Sequence, residues 1–197
     1  PTKAIDNLRQ PIEDGKVTIS RLKYKVTYPS SFMLIASMNP CPCGYYGQGE
    51  RCRCTQNMIN RYMSRVSGPI LDRIDMHIFV RAVESELLVG DTVEEESEVI
   101  AQRVRRARDI QLERFKDCDI YTNAQMNAAQ IREFCQIDEP SKLFLNKAIT
   151  KLGLSARAYS RILKLSRTIA DLDGNPQISL KNISEAIQYR NLDRDTN

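Results

Sequence analysis

The chain's 197 residues are 42% hydrophobic and 27% charged, an ordinary globular composition with enough length for one good core or two small ones. No apolar run approaches the ~20 residues of a membrane span and no charged-then-apolar leader opens the chain, so a cytoplasmic protein without a membrane partner is expected. The charge is uneven, with twelve Lys/Arg against six Asp/Glu up to Arg81 and seventeen against nineteen from Ala82 onward, and a net +6 over the first part is not by itself a nucleic-acid footprint.

In chain order, Asp6 to Glu13 gives a short helix stopped by Gly15. Val17 to Arg21 and Lys25 to Tyr28 alternate apolar and polar around Leu22-Lys23-Tyr24, the period-two signature of a β-hairpin without an Asn-Gly turn. Arg21, Lys23 and Lys25 lie two apart, which on a strand sets three cations on one side. That arrangement suits a phosphate backbone, and equally an edge guarded by lysines against aggregation. Phe32 to Met38 is apolar enough for a strand buried on both faces, as in a parallel sheet. It stops on Asn39, a lone amide at the carboxyl end, where open α/β sheets put their ligands. A turn cap before Pro40 is the plainer alternative.

Four cysteines follow as two Cys-x-Cys pairs, Cys41 with Cys43 and Cys52 with Cys54, across a loop containing Gly44, Gly47 and Gly49. Four thiols on two short arms suit one tetrahedral structural Zn²⁺, although the usual knuckle spacing is Cys-x-x-Cys; free thiols or disulfides are the competing readings. The sole histidine, His77, fits a structural role. Gln56 to Arg65 reads as a helix. In Leu71-Asp72-Arg73-Ile74-Asp75 the arginine is flanked by two aspartates, as suits a guanidinium held ready for a phosphate, or one engaged in a salt bridge to Asp72 or Asp75. Met76 to Val80 is expected to supply a last core strand.

Glu84 to Glu98 marks a boundary, giving domains at 1–90 and 91–197. From Ser97 to Phe115, Val99, Ile100, Val104, Ala107, Ile110 and Leu112 recur near helical spacing, with Arg103, Arg105, Arg106 and Arg108 on a solvated face. Further helices are expected over Asn123 to Cys135, Pro140 to Leu152, Ser155 to Leu172 and Leu180 to Tyr189, separated by Asp138-Glu139-Pro140, Gly153 and Gly174-Asn175-Pro176. Ser155 caps a helix whose first turn holds Arg157, an awkward place for a cation unless an anion meets it. Arg161 lies further along the same helix and is a candidate second contact. Cys118 and Cys135 read as small apolar residues.

Four segments carry a family resemblance: Leu8-Arg9-Gln10-Pro11-Ile12-Glu13-Asp14-Gly15, Met38 to Tyr45, Ser67-Gly68-Pro69-Ile70-Leu71-Asp72-Arg73-Ile74-Asp75, and Leu154 to Tyr159. In order and spacing the chain resembles the AAA+ ATPases of the magnesium chelatase type, and within them the ComM/YifB group. The resemblance implies a truncated α/β P-loop ATPase: the sensor-1 end of its core with a β-hairpin, then an α-helical lid, mainly α in this piece. It makes Asn39 the sensor-1 residue, Arg73 an arginine finger acting on a neighbouring subunit, and Arg157 sensor 2. The hairpin of Arg21, Lys23 and Lys25 would project into the channel of a ring.

No Gly-x-x-x-x-Gly-Lys-Ser/Thr occurs, and Gly15-Lys16 is followed by Val17, so the Walker A loop is absent. Residues Thr2 to Asn7 hold no apolar strand ending in Asp-Glu, and a piece cut just behind Walker B, unable to hydrolyse ATP alone, is expected. The resemblance implies that the whole protein uses ATP and Mg²⁺, assembles as a homo-oligomeric ring with six subunits expected, and remodels DNA in the manner of a branch-migration helicase. A magnesium chelatase motor subunit inserting Mg²⁺ into a porphyrin, and a non-enzymatic interaction module, are the alternatives.

Overall fold

A computed structural model describes residues 5–80 and 95–190. The chain divides into two compact units with the boundary between Ile74 and Asp75. The described residues are mostly helical, with one two-stranded antiparallel sheet. The expected 90/91 boundary and the acid run before Glu95 lie outside the described residues.

In the first unit, helix α1 (Arg9–Asp14) stops at Gly15, whose left-handed φ of 62° lets its N–H return to the Pro11 carbonyl. Strands β1 (Lys16–Arg21) and β2 (Tyr24–Pro29) then pair with Val17 opposite Tyr28, Ile19 opposite Val26 and Arg21 opposite Tyr24. The hairpin therefore turns on two residues, Leu22 and Lys23. Opposed residues share a face, so one face carries Val17, Ile19, Tyr24, Val26 and Tyr28 with Arg21, and the other Thr18, Ser20, Lys25 and Thr27. Arg21 and Lys25 thus lie on opposite faces, a correction to the expectation that all three cations share one side. The even spacing holds only along an unbroken strand, and the turn interrupts it.

Phe32 to Met38 forms no strand, and Met33 and Ile35 are more than 80% exposed. The doubly buried strand expected there needs flanking strands and covering layers, and among the described residues the only strands are those of the hairpin. Met76 to Val80 is corrected in the same way: no strand forms, and Ile78, Phe79 and Val80 are exposed. Helix α2 (Gln56–Met63) is capped by the Thr55 side chain, which accepts from the Met58 N–H. The short helix α3 (Gly68–Leu71) buries Ile70 and Leu71. Polar links join its start to α1: Arg9 donates to the Ser67 hydroxyl at 3.2 Å, and that hydroxyl donates to Asp6 at 2.7 Å.

The second unit is a helical assembly built around α7 (Ala156–Leu172), with α4 (Ser97–Arg114), α5 (Ala128–Phe134), α6 (Glu139–Leu152) and α8 (Leu180–Gln188). Its starts and stops are local. Asn127, Asp138, Ser155 and Ser179 each accept from a first-turn N–H, and Gly153 ends α6 at φ 62°. The core joins Leu145, Ile162, Ile169, Ile183 and Ile187, with Phe115 edge-on to Phe134 at 5.4 Å. Cys135 is buried in it, and loss of solvent pushes its thiol up to about 11, as an inert apolar residue requires. His77 is buried too, its backbone N–H donating to the Tyr189 carbonyl at 2.7 Å.

Helix α4 departs from its apolar spacing. Of the six residues in the expected stripe only Ala107 is buried, while Val99, Ile100, Val104 and Leu112 are exposed. The packed face is instead Ala107, Gln111 and Arg114, residues four and three apart. Arg114 reaches Asp171 of α7 at 2.7 Å and Asn123 at 2.8 Å. Asn123 donates to Asp171 at 2.7 Å, and Arg167 adds an Nε bond to the same carboxylate at 3.1 Å. Asp171 has no exposed side-chain surface. A buried carboxylate is tolerable only with such a set of donors.

Candidate functional site

Asn39 stands exposed at the end of the apolar Phe32–Met38 segment, before Pro40. Its amide lies against the turn that follows: a Cβ added at Gly44 would sit 3.9 Å from both the Asn39 Cγ and Nδ2. That turn is closed by the Gly44 N–H donating to the Cys41 carbonyl at 3.0 Å, with Gly44 at φ 84°. An exposed amide can donate and accept at once, the capacity needed to orient a water.

The same turn begins a thiol cluster. The Sγ atoms of Cys41, Cys43, Cys52 and Cys54 all lie within 4.8 Å of one another, with Cys41 to Cys43 at 3.3 Å, Cys43 to Cys52 at 3.7 Å and Cys41 to Cys52 at 3.9 Å. All four are free cysteines. The N–H groups of Tyr45 and Arg53, together with the Cys41 thiol, bring the Cys43 thiol down to about 6. At Cys54 the Cys43 N–H acts in the same direction, but loss of solvent and the neighbouring Cys43 and Cys41 thiols push it up to about 12.

Arg73, just past α3, is largely withdrawn from solvent, its side chain 13% exposed. It donates to the Pro69 carbonyl at 2.8 Å and pairs with Glu13 at the end of α1. Of its flanking aspartates, Asp75 pairs with Arg161 of α7. Arg73 is thus held in place as its sequence setting suggests, with Glu13 as a partner that local spacing could not signal from 60 positions away. Arg161, a candidate nucleotide contact in the sequence, is engaged with a carboxylate.

Arg157 is exposed in the first turn of α7, where the Ser155 hydroxyl accepts from the Ala158 N–H at 3.1 Å. The positive end of a 17-residue helix lies beside it. At the hairpin tip Arg21, Lys23 and Lys25 are all exposed. Arg103, Arg105, Arg106 and Arg108 of α4 are exposed as well, and Arg103 is held by two bonds to Glu95, at 2.8 and 3.1 Å, as befits a solvated face. No helix among the described residues is long and apolar enough to cross a membrane.

Two family models match, one on each side of the 88–94 gap. Residues 1–88 match "Magnesium chelatase, subunit ChlI", and residues 94–190 match "Magnesium chelatase, subunit ChlI C-terminal". The chain is 43% identical over 194 residues to the competence protein ComM of Haemophilus influenzae, and 40% identical over 193 residues to the uncharacterized protein YifB of Escherichia coli. Each alignment covers 98% of this chain and 37% of the relative, so the chain spans little more than a third of those proteins. With both of its halves matched in order, and with ComM and YifB similar to it from end to end, the chain belongs to the magnesium chelatase-like family.

Proposed function

We propose that the chain is the sensor and lid portion of an AAA+ ring ATPase that couples ATP hydrolysis to remodelling or translocation on DNA, as a branch-migration helicase does. The observation that carries the reading is its 43% identity to a competence protein over almost its whole length. In such a machine the exposed Asn39 amide orients the attacking water. Arg157 meets phosphate where the α7 dipole already favours an anion. Arg73 brings a planar, delocalised guanidinium that answers negative charge developing on a neighbouring subunit's nucleotide. Mg²⁺ bound with ATP supplies further neutralisation of the phosphates. The ring is a homo-oligomer, with six subunits as the family's expectation.

The intact protein should hydrolyse ATP faster when forked or four-way DNA is added. Turnover indifferent to DNA, with activity in porphyrin metallation, would overturn this reading in favour of a chelatase motor, the alternative that the matched family's description favours.

The hairpin supports the DNA half of the proposal. With Arg21 and Lys25 on opposite faces and Lys23 in the turn between them, a strand passing the tip meets a cation whichever face it follows. Replacing all three by alanine in the intact protein should weaken DNA binding. It should also flatten the plot of log affinity against log salt by about 2 to 3 if each cation neutralises one phosphate of a duplex. Titration at several salt concentrations checks this, and an unchanged slope would remove the hairpin from the DNA path.

A further inference from the structure

The loop from Cys41 to Cys54 has little apolar material of its own, yet Cys41 is fully buried within it. The chain returns on itself through Gly44, Gly47 and Gly49, all at positive φ, and a 3-10 turn over Gly49–Arg51 delivers the second cysteine pair to the first. A tetrahedron of sulfurs about ~2.3 Å from a central zinc has edges of about 3.8 Å. The separations among the Cys41, Cys43 and Cys52 sulfurs, 3.3, 3.7 and 3.9 Å, bracket that edge. All four sulfurs, that of Cys54 included, lie within 4.8 Å of one another despite the tight Cys-x-Cys spacing.

We infer that Cys41, Cys43, Cys52 and Cys54 bind one structural Zn²⁺ as four thiolates, and that this ion fixes the turn on which the Asn39 amide rests. With all four positions filled by sulfur, no coordination site is left for a water, so the ion braces the loop and does no chemistry. Cys41 is two residues from Asn39, and the Asn39 amide lies 3.9 Å from where a Cβ on Gly44 would sit, so an ion held by Cys41 and Cys43 fixes the turn beside that amide. Any effect on ATP turnover rests on the reading of Asn39 given above; metal binding and loop order do not.

The test uses the intact protein, purified reduced and without chelators. Elemental analysis should find one zinc per chain, X-ray absorption should show sulfur-only ligation near ~2.3 Å, and cobalt exchange should give the intense absorption of a tetrahedral thiolate site. Cys52→Ser with Cys54→Ser should abolish the metal, while Cys118→Ser keeps it. Stripping the metal should speed amide hydrogen exchange over residues 38–45. Absence of zinc together with failure to take up cobalt overturns the site, as does zinc retained by the double variant. Nitrogen or oxygen ligation in the unmodified protein overturns it even where the variant does not fold. Unchanged exchange in a stripped protein overturns the positioning of Asn39, and a protein that binds zinc but never hydrolyses ATP overturns the ATPase reading alone.

Discussion

Arg73→Ala in the intact protein is expected to cut ATP hydrolysis roughly a thousandfold or more while leaving nucleotide binding and ring formation largely in place, the range and pattern of an arginine finger. The pair with Glu13 provides the control. If Arg73 serves only to tie α1 to the segment after α3, then Glu13→Gln should reproduce the defect, because it breaks the same ion pair from the other side. A finger acting in trans predicts that Glu13→Gln retains far more activity than Arg73→Ala. Mixed rings of Arg73→Ala subunits with subunits disabled in their phosphate-binding loop should recover activity. No recovery despite verified co-assembly would count against action across subunits.

Asp171→Ala should be the most destabilising single change in the helical unit, at about 3–5 kcal/mol, the scale for removing one partner from a buried charge cluster. The substitution strips Arg114 and Arg167 of their shared counter-charge and Asn123 of an acceptor. Urea unfolding followed by far-UV circular dichroism measures the loss. A change below about 1 kcal/mol would mean that the cluster contributes no more than an exposed ion pair. Replacing the charged residues together by apolar residues of similar volume should be far milder, because no orphaned charge remains.

The helical unit was the most legible part of the sequence. Its caps at Asp138, Ser155 and Ser179 and its stop at Gly153 are written within three or four residues of where they act. The hairpin was legible as a hairpin, but its faces were not. A loop read as three residues proved to be two, and a one-residue change in register moves side chains to the other face. Phe32 to Met38 misled because an apolar run specifies a wish for burial and not the neighbours that satisfy it. In α4 the packed positions are Gln111 and Arg114 beside Ala107, which a search for apolar periodicity passes over. The cysteine pairs were visible as two arms, whereas their convergence and the contact between Gly44 and Asn39 depend on three glycine turns.

The Asp171 cluster also bears on how the helical unit can move. Its donors come from α4, from the turn at Asn123 and from α7 itself, so a slide or rotation of α7 by even one residue would strand a charge. Apolar contacts alone tolerate such slippage, since one methyl group can replace another. A carboxylate fixed from three directions has a single acceptable registry, and its helices keep their mutual angles under load. Within the helical unit, α4, the turn at Asn123 and α7 are therefore locked in one registry by charge rather than by apolar packing alone.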